Sequence, residues 1–87
     1  MKVHNYMENV VEDAVEKMLE RPDAGSFTEK DLADIKALTL NGLPPRYIVT
    51  PKGEVFSKLN ELSIQFQADV TRCLYLAVQT VKDNPRD

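Results

Sequence analysis

The run EVFSKLNELSIQFQADVTRCLYLAVQTVKD, residues 54–83, keeps helical spacing for about 30 residues. One apolar stripe passes through Val55, Leu59, Leu62, Phe66, Val70, Cys73, Ala77 and Val81. A second, offset stripe adds Phe56, Ile64, Leu74, Leu76 and Val78, and Asn84-Pro85 supplies the stop. An unbroken helix of this length spans about 45 Å at 1.5 Å per residue. A globule of 87 residues is only about 30 Å across. The helix therefore either breaks, near Ser57 or Ser63, or overhangs its own domain. A helix apolar on two faces needs a second chain to cover it. That consideration favours overhang, and with it a two-fold homodimer.

Upstream of this run the chain is strongly punctuated. Asn41-Gly42 ends a helix, because glycine readily takes the left-handed conformation wanted at a C-terminus. Leu43 is expected to fold back over the last turn, and Pro44-Pro45 forbids further helix. Arg46 to Thr50, β-branched and following a proline pair, reads as extended, and Pro51-Lys52-Gly53 turns the chain. A hairpin pairing residues 47–50 with 54–56 can be drawn. An isolated two-stranded ribbon is marginal, however, and the residues after Gly53 fit helix better.

Two shorter helices complete the reading. The middle one starts at Thr28, whose hydroxyl can cap, with Asp31 well placed in its first turn. Its apolar set is Leu32, Ile35, Leu38 and Leu40, with Ala33 and Ala37 permitting close approach. The first helix covers about residues 6–20, with Asn5 as cap and Glu8 as the second half of a capping box. Met7, Val10, Val11, Ala14, Val15, Met18 and Leu19 share one face. Arg21-Pro22-Asp23-Ala24-Gly25-Ser26 ends it. The expected architecture is all-α: a single domain, residues 1–87, of three helices with a short extended Pro-Pro connector and a long C-terminal helix.

Composition narrows the function classes. A domain this small buries only about two-thirds of its unfolded surface, so it commonly needs a metal, disulfides or a partner chain. Cys73 is the only cysteine, which excludes an internal disulfide and a thiolate zinc site. His4, the only histidine, lies near the terminus, where a ligand role is not expected. Self-association is the remaining supplement. With 11 basic against 14 acidic residues the net charge is -3. Basic residues alternate with acids, the pattern of a solvated surface rather than of a nucleic-acid polymer binder. No apolar run reaches the roughly 20 residues that span a bilayer, and no export signal is read at the start. Cytoplasmic location is the expectation.

Catalytic groups are sparse. Ser57, Ser63, Thr71 and Thr80 fall within helical spacing with no histidine nearby in sequence. Glu8, Glu12 and Glu16 form an i, i+4 row, which on an amphipathic helix marks a solvated face far more often than an acid–base pair. Cys73 lies in the apolar stripe, whereas a reactive thiolate needs an accessible, electropositive setting. The stretch 41–47 is different in kind. A rigid proline pair presents Arg46 and Tyr47 directly after a helix. Arginine can fork onto phosphate or the O6/N7 edge of guanine. Tyrosine and the guanidinium plane both offer stacking surfaces for a base. Asn41 and Thr50 can add hydrogen bonds at either end. On spacing alone the plainer alternative stays open: Leu43 and Tyr47 as core plugs, Arg46 paired with a carboxylate.

The run Asp34-Ile35-Lys36-Ala37-Leu38-Thr39-Leu40-Asn41-Gly42-Leu43-Pro44-Pro45-Arg46-Tyr47 resembles the signature of the late competence development protein family, ComFB. Asn5-Tyr6-Met7-Glu8 with Val11, Gly53-Glu54, and Val81 through Asn84-Pro85-Arg86 agree with it, so the resemblance covers nearly the whole chain. It implies a helical, dimeric bacterial protein without catalytic activity. Some relatives, notably cyanobacterial ones, are cyclic di-GMP receptors, while the family name comes from a Gram-positive competence operon. Members resembling that competence protein carry a cysteine cluster suited to zinc between the first two helices. Residues 21–30 here contain none, so neither zinc nor a competence role is carried over.

The expected function is a cyclic dinucleotide-binding regulatory dimer, with no cofactor and no metal. Its candidate ligand residues are Asn5, Tyr6, Asn41, Arg46, Tyr47 and Thr50, with Lys52 and Arg86 as further phosphate partners. The alternative is a ligand-free dimeric adaptor, or competence-related protein–protein interaction module, that docks another protein.

Overall fold

The computed structural model describes residues 2–49 and 63–83. Among these, two short strands and three helices follow in the order β1 (His4–Asn5), α1 (Met7–Leu19), α2 (Glu29–Asn41), β2 (Tyr47–Ile48) and α3 (Ile64–Asp83). The fold is mostly helical, as the spacing implies, with a small antiparallel ribbon added.

Helix α1 forms because Met7, Val10, Val11, Val15 and Met18 fall on one face and are all buried. Leu19, at the end of that series, is 41% exposed and outside the core. The carboxylate row of Glu8, Glu12 and Glu16 faces water. Across to α2, Glu12 Oε1 accepts from Lys36 Nζ at 2.9 Å. The capping box expected on α1 is absent: Tyr6 occupies the N-cap position and makes no side-chain cap bond. Asn5 Oδ1 instead accepts the Met7 N–H at 3.1 Å.

The reciprocal box sits on α2. Thr28 Oγ1 accepts the Asp31 N–H and Asp31 Oδ2 accepts the Thr28 N–H, each at 3.0 Å. Helix α2 packs chiefly against α3 and less against α1. Only Ile35 and Thr39 of α2 are fully buried, both at 0% exposure. Leu32, Leu38 and Leu40 are partly covered at the edge of the core. Thr39 is tolerated there because its hydroxyl donates to the Ile35 carbonyl at 2.7 Å, leaving only its methyl to pack. Ala33 and Ala37 are exposed and do not mediate close approach.

That approach occurs one turn later. Gly42 ends α2 with φ −88°, an ordinary right-handed conformation rather than the left-handed one expected. The position is tight instead: a Cβ there would stand 3.2 Å from Cys73 Sγ on α3, so the thiol would have to give by a few tenths of an ångström. Cys73 donates its thiol to the Gly42 carbonyl at 3.5 Å, so the two elements touch directly. Leu43 then buries itself with its N–H on the Leu40 carbonyl.

Helix α3 buries Val70, Cys73, Leu74, Ala77, Val78 and Val81, a face built from both apolar stripes. Ile64 and Leu76 are 85% and 54% exposed, so the second stripe is divided between core and solvent. Ser63 lies outside the helix, and its Oγ accepts the Phe66 N–H at 3.3 Å in the manner of an N-cap. The unbroken rod expected from residue 54 is thereby corrected. The described helix is 20 residues, about 30 Å long, which matches the domain instead of overhanging it. Residues 54–62, and the hairpin drawn through 54–56, lie outside the described residues.

Gly42→Ala tests the α2–α3 contact. Its backbone suits alanine, which alone would stabilise by about 0.4–1 kcal/mol. The crowded Cβ opposes this, and overpacking a core costs about 1–3 kcal/mol. Urea denaturation should show Gly42→Ala less stable than wild type. Made in a Cys73→Ala background, the same change should become neutral or stabilising.

Candidate functional site

The extended stretch after Pro45 finds its strand partner at the N-terminal side of the chain. β1 and β2 pair antiparallel, with His4 opposite Ile48 and Asn5 opposite Tyr47. Next to the ladder, the Tyr6 N–H donates to the Arg46 carbonyl at 2.6 Å. The Arg46 N–H donates to Asn5 Oδ1 at 2.8 Å. Both backbone groups of Arg46 are thus held at the start of α1. Ile48 and Leu43 anchor the segment from below.

The strand's alternation then decides which side chains face out. Ile48 is 8% exposed while Tyr47 is 64% exposed, with Arg46 also in solvent. The alternative in which Tyr47 plugs the core does not hold, and no described carboxylate pairs with Arg46 among the ion pairs of the ribbon. Of the expected ligand residues, the fold gathers Asn5, Tyr6, Arg46 and Tyr47 around one ribbon. Tyr6 is a correction: at 4% exposure its ring belongs to the core and offers no stacking face. Asn41 is exposed as the last residue of α2. Thr50, Lys52 and Arg86 lie outside the described residues.

A concavity lies elsewhere, where two helices distant in sequence meet, and no local sequence signal marks it. A cleft of about 510 Å³ runs between α1 and α3. Val10, Ala14, Met18, Phe66, Val70 and Leu74 give it an apolar floor, with Asp13, Lys17, Arg21 and Tyr75 at its rim. The Arg21 Nη1–H donates to the Tyr75 hydroxyl at 3.0 Å and Arg21 Nε lies 3.4 Å from Asp23, closing one end. Beyond that bridge Lys82 Nζ sits 5.6 Å from the centre of the Phe27 ring.

Among the described residues no group of three histidine, cysteine or acidic side chains converges as metal ligands would. No described helix is long and apolar enough to cross a membrane.

A small helical domain whose Pro-Pro exit is clasped by its own N-terminal strand is the class that this geometry defines. The model of the ComFB family, described as late competence development protein ComFB, matches residues 4–85, and the chain belongs to that family. Its fold is similar to that of a solved structure described as the late competence protein ComFB from Bacillus subtilis. The TM-score is 0.83 over 99% of this chain and 94% of that one, at 20% sequence identity. No functionally curated protein matches the sequence.

Cys73 gives a direct probe of the packing beneath the site. Cys73 is 9% exposed and its thiol is engaged with Gly42. A buried thiol reacts chiefly through opening of the fold. Ellman's reagent should label native protein at least about a hundredfold more slowly than urea-unfolded protein, a ratio read from the release of thionitrobenzoate.

Proposed function

We propose that this protein is a non-enzymatic regulatory dimer that binds cyclic di-GMP at the Arg46–Tyr47 elbow. The observation that carries this reading is the exposure of an arginine and a tyrosine at consecutive positions, on backbone fixed to the start of α1. A pre-set backbone reduces the ordering cost of binding. Arg46 forks onto a phosphate or a guanine edge, and Tyr47 supplies a stacking face. The ligand carries two phosphates and two purines, so a two-fold pair of elbows would match its symmetry. Asn41 lies at the far end of the connector and serves as a further hydrogen-bonding group. The resemblance of the chain to a family that includes cyclic di-GMP receptors supports the same ligand class. Dimerisation no longer leans on helix overhang and rests on the two-fold symmetry of the ligand.

Calorimetry with cyclic di-GMP should show saturable binding, and Arg46→Ala should weaken it by about 1.5–3 kcal/mol, the scale of a charge-assisted contact. No heat at high micromolar ligand would remove the proposal. An unchanged affinity in Arg46→Ala would remove the residue assignment. Sedimentation equilibrium should give twice the 9.9 kDa chain mass; a single-chain mass across the micromolar range would end the dimer.

The cleft between α1 and α3 favours a second reading, a ligand-free adaptor, because its apolar floor suits a partner helix. In that case partner capture would be indifferent to nucleotide and to Arg46→Ala. It would be lost in Thr71→Arg, a change at an exposed position on the cleft wall.

A further inference from the structure

We infer that Asn5 is a positioning residue, which does not touch the ligand but makes residues 4–7 and 46–48 open and close as one unit. The inference rests on the elbow being the ligand site. A carbonyl oxygen of an asparagine side chain has two lone pairs. Asn5 Oδ1 uses both: the Met7 N–H donates to it at 3.1 Å and the Arg46 N–H at 2.8 Å. One atom therefore satisfies the first backbone donor of α1 and the amide of the residue that carries the guanidinium. The Tyr6 N–H on the Arg46 carbonyl completes the clamp from the other side. Asn5 is half-buried and strand-paired with Tyr47, so the same residue also sets the register that turns Tyr47 outward.

Two consequences separate this role from a ligand contact. A two-residue ribbon cannot hold itself together, so its closed state depends on these extra bonds. Ligand binding to the closed elbow must also protect the N-terminal strand, since binding stabilises whatever opens with the site.

Amide hydrogen exchange on the full chain, with and without cyclic di-GMP, tests both. Asn5→Ala removes the shared acceptor. Exchange at residues 46–48 should accelerate about tenfold or more, while α2 and α3 keep wild-type protection. Asn5→Asp keeps an acceptor oxygen in the same place and should restore wild-type exchange at 46–48. In the wild type the ligand should slow residues 4–7 and 46–48 together. Asn5→Ala should bind about tenfold more weakly by calorimetry, with protection spreading less to residues 4–7. Wild-type exchange at 46–48 in Asn5→Ala would overturn the inference, and so would an opened ribbon that binds with unaltered affinity. A weakened affinity without faster exchange would make Asn5 a direct contact and also overturn it. If the wild type binds no cyclic di-GMP, the functional reading fails by itself. The exchange of the ligand-free variants then still judges the clamp.

Discussion

A chain that leaves a helix through two prolines must find partners elsewhere for the backbone groups that follow. Here those partners are supplied by residues that precede α1, forty positions away in sequence. The pairing of His4 and Asn5 with Tyr47 and Ile48 is short, but its placement determines much else. It ties the entry of α1 to the exit of α2, so the two helices meet at fixed ends. It also sets the parity of β2, with Ile48 turned toward the core and Tyr47 toward water. A slip of one residue would exchange the two, burying a phenol and exposing an isoleucine. The outward phenol of Tyr47 is thus a consequence of register, whereas Arg46 precedes β2 and is exposed outside the ladder.

The opposite end of the α2 exit is governed by steric contact. Gly42 leaves room for Cys73 Sγ, and Thr39 buries a hydroxyl by returning it to its own helix. Small side chains at these places let α2 approach α3 more closely than it approaches α1. The remaining separation between α1 and α3 is where the cleft opens.

These relations explain what could be read in advance. Local chemistry was legible: the amphipathic faces of α1 and α3, the Thr28 cap, the stop at Asn41-Gly42 and the extended run after the prolines all lie where their residues place them. The misreadings came from signals with two physical causes. Gly42 suits either a positive φ or a close neighbour, and sequence alone does not separate them. Ser63 keeps the apolar spacing of residues 54–83 intact while also being able to cap. Periodicity counts where apolar side chains fall and is blind to where hydrogen bonding restarts. The spacing of Asn5 and Glu8 suits a reciprocal box; the Asn5 oxygen is instead shared with Arg46, a partner no local rule can name. Tyr6 has the chemistry of a ligand residue, yet burial next to the ribbon makes it part of the floor.

The division between floor and face bears on how the site would evolve. Substitutions at Tyr6, Leu43 or Ile48 act on the packing below the ribbon and so on the stability of the closed elbow. Substitutions at Arg46 or Tyr47 change surface chemistry with little effect on the core, since their side chains project into solvent. A ligand specificity written only in the outward pair can therefore be altered or lost while the fold persists. This provides a physical route by which one helical scaffold, such as that shared here with the Bacillus subtilis protein at 20% identity, can serve members that read different partners. In this chain the clasp between the N-terminal strand and the proline exit holds the backbone on which that pair is presented.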